Sequence, residues 1–510
     1  MEIAALIHFN MATTGSCGEP SAFHPEKLDT DNWVQSIVAF GAHEAVLVAK
    51  HACGFCTWPT NATLPVANAS RGQRWPNGSR YPYSVAYSPW RGGKGDVVKS
   101  FLQSVTQAGL GAGYYYSLGN QLERSLNLSA AQIIAVEQQQ LTELWTTYGN
   151  NGNLSEVWFD GGIGSGIAPF IGKLLAAHQP QAMGFGACGG SIARHTDTCV
   201  TRNAIRGTGT EAGAVGNPNW SFANASGALK FLPSESDTTL QLTDAWFYTE
   251  PENAIRSMSE LQGVYHDTVG HNSLLMMDFS PTPDGVIAPL HAQRYAEFGA
   301  WRRGCYDAGS AGIAGIAEHA RGSEHAGPTQ YLHFDRPTTI DRVVVREDQT
   351  EGEVISAWVV EAQMVADSTP PGVTGAWTRI ANGTSMGNKW ITLLDTNLTV
   401  SAVRSRATAT FEGGQARIRS TSAHLCSRST PSAKCNLRQD WVADGVGNST
   451  NRDGDAKTIA QCCAACSKLK GCALFVATPN SIDGHSCVLW SRTGAGHGKV
   501  VKGAVTGSPR

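Results

Sequence analysis

Short apolar runs alternate with helical segments through about the first 300 residues of the chain. Residues 45–49, Ala-Val-Leu-Val-Ala, form a continuous apolar run, as is typical of a parallel strand that is covered on both faces. Residues 96–108 then place valine, phenylalanine and leucine at helical spacing, and residues 111–117 form the next predicted strand. Because close to eight such units fit before residue 300, the pattern predicts an α/β fold with a (β/α)8-like TIM barrel over residues 1–310.

The periodicity of the apolar residues changes to two from about residue 328. Residues 339–346 and 354–361 alternate apolar with polar side chains and are separated by turns, which predicts a β-sandwich over residues 328–424. Seven of the 13 cysteines lie between Cys426 and Cys487, so residues 426–510 are predicted to form a small disulfide-rich domain. Because seven cysteines cannot all pair with one another, one is left over, and the adjacent pair at 462 and 463 contains the candidates.

The composition and charge of the chain indicate which binding partners and which cellular location to expect. The net charge is −3 and no basic block occurs, so we expect no nucleic-acid binding, and no apolar run reaches the 18 residues of a membrane span. Ten Asn-X-Ser/Thr sequons, together with the cysteine-rich tail, favour a secreted, extracellular or lysosome-like location. Residues 1–8 predict the first barrel strand rather than a signal peptide, so we expect that a leader is missing from this sequence.

Residues 154–162, Leu-Ser-Glu-Val-Trp-Phe-Asp-Gly-Gly, predict a buried strand that ends in an acidic residue. Gly161 and Gly162 end the strand, which leaves Asp160 at its carboxyl end. Taken alone, Phe-Asp-Gly is more often a turn in which the aspartate caps the next element. In a barrel, however, catalytic groups lie at this edge, and a carboxylate there is costly unless it faces a cleft.

One reaction that uses a carboxylate at such a cleft is the hydrolysis of a glycosidic bond. It would need a second carboxyl group on the other side of the bond from Asp160. Residues 206–213, Arg-Gly-Thr-Gly-Thr-Glu-Ala-Gly, supply Glu211 in a glycine-rich loop. Glu235 and Asp237 lie shortly afterwards in Leu-Pro-Ser-Glu-Ser-Asp. The spacing along the chain leaves all three carboxyl groups open as partners of Asp160.

Short motifs occur in a fixed order along residues 3–304: residues 6–9, 23–25, 29–33, 49–59, 83–85, 93–98, 158–161, 245–248 and 281–287. In content and order they resemble glycoside hydrolase family 29, the retaining α-L-fucosidases. The resemblance implies a barrel enzyme that removes terminal α-linked L-fucose from fucosylated oligosaccharides or glycoproteins by double displacement. It implies no metal and no organic cofactor.

The two catalytic roles of that family carry over to this sequence. The aspartate of the Trp-Phe-Asp-Gly strand is the family's nucleophile, which matches Asp160. Members that cleave α-1,3 and α-1,4 links carry Arg-Trp-Val-Gly-Asn-Glu-X-Gly around the acid/base. Residues 206–213 keep the arginine, the middle glycine, the glutamate and the last glycine of that motif, so the resemblance assigns the acid/base to Glu211.

The resemblance further implies six substrate-binding residues, namely His8, His51, Trp58, Tyr116, Trp158 and Trp246. The histidines would contact sugar hydroxyls, the tryptophans would lie at the sugar or against its methyl side, and the tyrosine would lie at a strand end near the pocket. Without the resemblance, a strand-end histidine is more often structural and tryptophans are ordinary core residues. This sequence departs from the family at one point. Members usually carry two adjacent histidines here, whereas this chain has His51-Ala52. A hydrogen bond to one hydroxyl of the sugar is then missing or supplied by another residue.

The appended segments resemble known modules as well. Residues 334–337 and 346–350 resemble the C-terminal β domain of many such fucosidases. Residues 462–466, 471–475 and 487–489 resemble a PAN/apple-type module, which would bind a protein or a glycan.

Three other interpretations follow from the residues. A fucose-binding lectin-like protein with decayed catalysis is suggested by Ala52 and by the appended modules. An unrelated barrel glycosidase would pair Asp160 with Glu235. The Cys53-x-x-Cys56 motif is shared by redox and zinc sites, but no second pair with metal spacing follows it within the barrel, so we expect neither.

Overall fold

The protein divides into two compact units, Met1–Cys426 and Ser427–Arg510. A computed structural model describes residues 2–62, 83–120, 128–188, 199–225, 228–242, 245–307, 327–365, 375–411 and 414–426 of the first unit. In the second unit it describes the backbone of five strands.

The first ten strands build a closed, all-parallel barrel and one outer hairpin. They are β1 (Ile3–Ile7), β2 (Glu44–Lys50), β3 (Gly111–Tyr116), β4 (Leu154–Trp158), β5 (Met183–Phe185), β6 (Ala204–Gly207), β7 (Phe222–Ala225), β8 (Ala228–Phe231), β9 (Ser234–Thr238) and β10 (Ser273–Phe279). The barrel order is β1-β10-β9-β6-β5-β4-β3-β2, and β7 pairs with β8 in an antiparallel hairpin. The predicted TIM-like barrel is therefore confirmed.

Six α-helices surround this barrel in the part of the chain that the structure describes. They are α1 (Thr30–Phe40), α2 (Val97–Gln107), α3 (Ala130–Thr146), α4 (Ala168–His178), α5 (Met258–Asp267) and α6 (Pro289–Tyr306). Short 3-10 turns cover Met11–Thr14, Pro20–Ala22, Val85–Tyr87, Trp90–Gly93 and Asn150–Gly152. The β7–β8 hairpin lies between β6 and β9, where a barrel of eight regular units would have a helix.

Local sequence sets the helix ends. The Asp29 side chain accepts a hydrogen bond from the backbone N–H of Asn32 and so caps α1, while Gly41 ends that helix at a φ of 97°, where residues other than glycine are strained. Ser129 and Gln132 form a reciprocal capping box at the start of α3.

Alternation along the strands separates two layers of buried side chains. One layer fills the barrel interior and includes Leu6, Val48, Tyr115, Trp158 and Met276. The other packs the outer face of the strands against the helices. Because successive strand residues point to opposite faces, a shift of one residue moves a side chain from the interior to the wall.

A five-stranded antiparallel sheet follows the barrel and gives the expected sandwich-like β region. Its strands are β11 (Thr329–Glu347), β12 (Ile355–Met364), β13 (Trp377–Gly383), β14 (Trp390–Thr410) and β15 (Ile418–His424), in the order β13-β12-β14-β11-β15. The two long strands are paired with shifts of register at residues 333–338 and 340–342, and such bulges bend a sheet over its own core. Trp358, Val360 and Val403 are among the residues of that core.

The second unit contains β16 (Cys435–Ala443), β17 (Ser449–Asp453), β18 (Cys472–Ser481), β19 (Gly484–Ser491) and β20 (Gly498–Pro509). These strands form one antiparallel sheet in the order β16-β20-β18-β19-β17. The predicted role of this region as a PAN/apple-type module stays a prediction.

The cysteine pairing differs from the sequence-based expectation at Cys426. This residue was counted with the tail, but it is bonded to Cys305 at the end of α6, within the first unit. One of the seven clustered cysteines is thus used elsewhere, and the remaining six are an even number. No tail cysteine therefore has to be left over, and the candidate positions 462 and 463 lie outside the described residues.

Cys53 does not form a pair with Cys56, because it is bonded to Cys17. Cys56 is buried, and its Sγ accepts a hydrogen bond of 3.2 Å from Gln140 Nε2. A third disulfide joins Cys188 to Cys199. In the residues described, no cluster of three or more His, Cys, Asp or Glu has the arrangement of a metal site, and no helix is long and apolar enough to cross a membrane.

Candidate active site

Polar and aromatic side chains converge at the carboxyl ends of the barrel strands. His8 follows β1, His51 follows β2 and Asp160 follows β4, while Asp237 and Asp278 lie near the ends of β9 and β10. Because all eight strands are parallel, their carboxyl ends share one rim of the barrel, so residues that are far apart in the sequence meet there.

Asp160 is exposed at this rim and is oriented by a tyrosine. The Tyr115 hydroxyl donates a hydrogen bond of 2.7 Å to Asp160 Oδ2. Burial raises the pKa of Tyr115 well above 10, so the phenol keeps its proton and remains a donor. Gly161 and Gly162 follow at φ values of 71° and 80°, and this left-handed turn leaves the carboxylate at the mouth of the barrel.

Four rings from neighbouring strands form a stack beside that carboxylate. His51 stacks on Tyr115 with ring centroids 5.6 Å apart, Tyr115 on Trp158 at 4.9 Å, and Trp158 on Phe185 at 4.1 Å. Since β4 lies between β3 and β5, the Tyr115 and Phe185 rings flank Trp158 from opposite sides. Its indole is 5% exposed, and its Nε1 donates to Glu235 at 2.9 Å.

His8 is held by a second acid. Its Nδ1 lies 2.7 Å from Asp278 Oδ1, and the Ser280 hydroxyl donates to the other oxygen of Asp278 at 2.9 Å. Burial lowers the pKa of His8 to about 3 and raises that of Asp278 well above 3.8. One proton is therefore shared across this contact at neutral pH, and the imidazole is presented to the cleft through its other nitrogen.

Glu211 is exposed in the loop that follows β6, and Trp246 Nε1 lies 3.3 Å from its Oε2. The Trp246 ring is itself 5.0 Å from that of His8. At the base of the loop, the Arg206 guanidinium donates to the carbonyl of Trp220 at 2.8 Å. Gly213 sits at a φ of 67°, where a Cβ atom would meet Thr238 at 2.9 Å.

Asp160 and Glu211 act on the same two rings. Burial is the main cause of the shifted pKa of His8 and of Tyr115. Among the charged groups, Asp160 and Glu211 affect the pKa of His8 most, and both raise the pKa of Tyr115. Both carboxylates therefore belong to the electrostatic surroundings of the rings that line the cleft.

The two other acidic candidates differ in position. Asp237 is 9% exposed at the cleft, and burial, with Glu211 and Asp160 nearby, raises its pKa to about 7. Glu235 is fully buried beneath Trp158. It has no access to a sugar at the rim, which argues against the pairing of Asp160 with Glu235.

A family model described as alpha-L-fucosidase matches residues 18–304, more than half of the chain. The chain belongs to this family, glycoside hydrolase family 29.

Individual members of the α-L-fucosidase family agree with that assignment. Alpha-L-fucosidase 1 of Arabidopsis thaliana is 26% identical over 440 residues, which cover 76% of this chain and 78% of the plant protein. A solved glycoside hydrolase 29 family member from an unknown rumen bacterium superposes with a TM-score of 0.69 at 22% identity, over 100% of this chain and 94% of that one. A Ruminococcus gnavus fucosidase of the family, solved in complex with fucose, has a TM-score of 0.65 at 19% identity, over 84% and 93% of the two chains.

Two of the residues expected at the sugar site of this α-L-fucosidase family member lie elsewhere. Tyr116 points to the wall, where its hydroxyl contacts Gln140 Oε1 at 2.6 Å and Lys50 Nζ at 2.8 Å. Trp58 is fully buried, and its Nε1 donates to Glu143 of α3 at 2.9 Å. Both expectations are wrong, because these side chains belong to the layer between strands and helices.

Trp158 was expected to offer an apolar face to the methyl side of the sugar, but it lies in the barrel interior. Both faces of the indole are covered by other rings, so it supports the cleft from below and offers no face to a sugar. Trp246 is partly exposed beside His8, and its expected role as an apolar platform for the sugar stays a prediction.

Sequence reasoning missed Tyr115 and Phe247. Tyr115 is the middle residue of Tyr114-Tyr115-Tyr116, and it alone of the three points into the barrel. Phe247 places its edge against His51 at 4.9 Å and His8 at 5.2 Å. The signal for Phe247 was present, since it follows Trp246 in a motif that had been singled out.

Proposed function

We propose that this α-L-fucosidase family member is a retaining exo-enzyme that removes terminal α-1,3- or α-1,4-linked L-fucose from glycans. The observation that carries the proposal is the pairing of two exposed carboxylates over the same aromatic floor, with Asp160 on Tyr115 and Glu211 on Trp246. The linkage preference rests on the match of residues 206–213 to the members with that specificity.

In the first step Asp160 attacks the anomeric carbon from the face opposite the leaving group. The bond from that carbon to the leaving oxygen breaks, and Glu211 donates its proton to this oxygen. The Tyr115 O–H holds the attacking carboxylate in one orientation through the hydrogen bond to Oδ2.

In the second step a water molecule attacks the fucosyl-enzyme. Glu211, now ionised, takes the proton of the water, and the bond from the anomeric carbon to Asp160 breaks. Fucose leaves with its original configuration, because the carbon is inverted twice. Such a mechanism calls for a separation of about 5–5.5 Å between the two carboxyl groups around a bound sugar.

The neighbouring rings would bind the sugar. Neutral His8 and His51 offer ring nitrogens to hydroxyl groups, since burial lowers the pKa of His8 to about 3 and that of His51 to about 4. Trp246 and Phe247 provide apolar surface beside them, which suits the methyl group of fucose. The position after His51 is alanine, so the contact that a second histidine would make falls to another group.

The ten sequons and the appended tail support a secreted protein whose C-terminal module binds a glycan or a protein. The alternative of a decayed lectin is not favoured, because both carboxylates stand in the cleft with hydrogen-bond partners.

The proposal is tested by following fucose release from α-1,2-, α-1,3- and α-1,4-linked oligosaccharides by NMR, which also reports the configuration of the first product. We expect α-fucose from the α-1,3 and α-1,4 substrates. Initial release of β-fucose would exclude double displacement, and a preference for the α-1,2 substrate would overturn the linkage.

The nucleophile has its own test. Asp160→Gly should abolish turnover, and added azide should then attack the vacated face and yield a fucosyl azide of inverted configuration. Asp284→Gly is the matched control, because Asp284 is an exposed acid paired with Lys27 outside the cleft, and it should keep wild-type activity without azide. Turnover by folded Asp160→Gly without azide would contradict the assignment.

A further inference from the structure

Three glutamates that the proposed mechanism does not use are fully buried inside the barrel. Glu44 lies on β2, Glu156 on β4 and Glu235 on β9, and none has any exposed surface. Glu156 lies one interior layer below Trp158 on the same strand, and Glu235 lies one interior layer below Asp237. Space for them comes in part from Gly113, where a Cβ atom would lie 2.7 Å from the Glu156 carbonyl oxygen.

These carboxyl groups lie next to one another. The carboxyl of Glu156 meets those of Glu44 and Glu235, and its two oxygens have no N–H or hydroxyl donor among the residues the structure describes. Two carboxyl groups can share a hydrogen bond only if one of them is protonated. Burial raises the pKa of Glu235 to about 8 and that of Glu156 well above 4.5, so the cluster retains protons at neutral pH.

The surroundings of Glu235 contain few other polar groups. Glu44, Glu156, Asp237 and the Trp158 indole are the ionisable or polar groups that act on it. The remaining interior side chains of this region are apolar, and they include Leu6, Val46, Phe185 and Met276.

One member of the cluster is connected to the proposed nucleophile. Glu235 Oε1 accepts the Trp158 N–H at 2.9 Å, and the Trp158 ring stacks on Tyr115 at 4.9 Å with an angle of 17° between the planes. Tyr115 then donates to Asp160 at 2.7 Å. Phe185 closes the other face of the indole, so the bond to Glu235 is the polar contact that sets how the indole lies within its slot.

We propose that Glu235 is a positioning residue for Asp160, acting through Trp158 and Tyr115, and that it does so as a member of the buried Glu44–Glu156–Glu235 cluster. The inference rests on the proposed function, since it takes Asp160 as the nucleophile. It assigns Glu235 a role in the geometry of the cleft without contact with the substrate.

The test compares variants that keep or remove the acceptor for the indole. Glu235→Gln should keep kcat within about twofold at pH 5, because the amide oxygen still accepts from Trp158 and the amide group has the size of the carboxyl group that it replaces. Glu235→Leu should lower kcat by about 10- to 100-fold, the range expected from small misplacement of a reacting group. KM should change less than threefold, because the residues proposed to bind the sugar do not contact Glu235.

Trp158→Phe, which keeps the stack but removes the N–H, should reproduce the loss in kcat. The double variant Glu235→Leu/Trp158→Phe should be no slower than the slower single variant, because each change removes the same hydrogen bond between Trp158 and Glu235. Glu44→Gln is the matched control: it alters the same cluster without touching Trp158 and should leave kcat unchanged. If Glu235→Leu does not fold, Trp158→Phe and Glu235→Gln still carry the comparison.

Several results would overturn the inference. Wild-type kcat in Trp158→Phe, or losses that multiply in the double variant, would show that the contact does not position the nucleophile. A loss in Glu235→Gln that azide restores would give Glu235 a direct chemical role. Failure of the proposed function is distinguishable, because it would appear as turnover by Asp160→Gly without azide, whatever the Glu235 variants do.

Discussion

Single aromatic donors orient the two exposed carboxylates of the cleft. Tyr115 donates to Asp160 and Trp246 faces Glu211, so each acid has one neighbour that both binds it and covers it. A hydrogen bond to a charged group contributes about 1.5–3 kcal/mol, which is enough to change a rate by one or two orders of magnitude. Two substitutions test these contacts separately.

Tyr115→Phe should lower kcat by about 10-fold or more with little change in KM, because the variant keeps the ring stack and loses the bond to Asp160. Steady-state kinetics with an aryl fucoside measure this effect. Tyr116→Phe is the matched control, since it also removes a hydroxyl from β3 but one that faces Gln140 and Lys50 on the wall. It should lower the melting temperature and leave kcat unchanged; the opposite pattern would mean that the wrong tyrosine has been assigned to the cleft.

Glu211→Ala should lose activity according to the leaving group. General acid catalysis contributes about 10²–10⁴-fold when the departing oxygen needs a proton. The variant should therefore fail on a fucosylated oligosaccharide but still form the intermediate from a nitrophenyl fucoside, and azide should restore turnover with retained configuration. Glu250→Ala removes a glutamate bonded to Tyr248 instead and should show neither effect. Equal loss on both substrates would argue against Glu211 as the acid.

At the level of elements, the loop of residues 51–62 after β2 is fixed by contacts that position the His51 ring at the cleft. The Cys17–Cys53 disulfide fixes one end, and Asn10 Nδ2 donates to the carbonyl of Phe55 at 3.2 Å. Trp58 fixes the other end through Glu143 of α3. The loop begins with His51, so these contacts set the position of a ring that lines the cleft.

Trp58→Phe should lower the free energy of unfolding by about 1.5–3 kcal/mol, the usual contribution of one hydrogen bond to a charged group, and leave KM for an aryl fucoside unchanged. Thermal denaturation and kinetics on the same sample separate the two effects. Trp246→Phe, which removes a ring at the cleft, should do the reverse and raise KM with little loss of stability. A large rise in KM for Trp58→Phe would place Trp58 at the sugar after all.

At the level of the whole first unit, buried acids join the barrel to the β sheet that follows it. Glu353 accepts from the backbone N–H of Ser221 and from Asn272 at 3.3 Å. Glu2 on the barrel forms ion pairs of 2.7 Å with Arg346 and 2.8 Å with Lys389. These two acids respond to pH in opposite directions.

Stability should fall as the pH rises from about 6.5 to about 8, the range above that in which the buried histidines His8 and His51 oppose the trend. Burial raises the pKa of Glu353 and of Glu235 to about 8, so the folded state keeps protons that the unfolded state releases near pH 4.5. Between pH 4.5 and 8, a rise in pH therefore favours unfolding through these acids. Each pKa unit by which one such acid differs between the folded and unfolded states lowers the free energy of unfolding by about 1.4 kcal/mol once the pH exceeds both pKa values. Below pH 4.5 stability is lost again, since Lys389 and Arg346 outweigh burial and lower the pKa of Glu2 to about 2.

Calorimetry from pH 3 to 9 measures this profile. Glu353→Gln should flatten the alkaline side, because the amide has no proton to lose, and it should leave the acid side unchanged. Stability that increases from pH 6.5 to 8 would contradict the protonated state of the buried acids.

The amino-acid sequence by itself determined the barrel, the family and the acidic residues at its rim. Apolar strands that alternate with helices have one favourable closed arrangement, and parallel strands bring their carboxyl ends to one edge. Asp160, Glu211, His8 and His51 follow strands directly or lie in the loops after them, so their meeting at the rim follows from their positions in the chain.

The tertiary structure decided which face of a strand each side chain occupies and which distant residues meet. Tyr115 rather than Tyr116 reaches Asp160 because the phase of β3 places only one of the two inside the barrel, and three consecutive tyrosines carry no apolar pattern from which to read that phase. Cys426 pairs with Cys305 across 121 positions. Glu235 lies under Trp158 rather than at the rim because depth along a strand, and not residue type, determines whether a carboxyl group reaches the cleft.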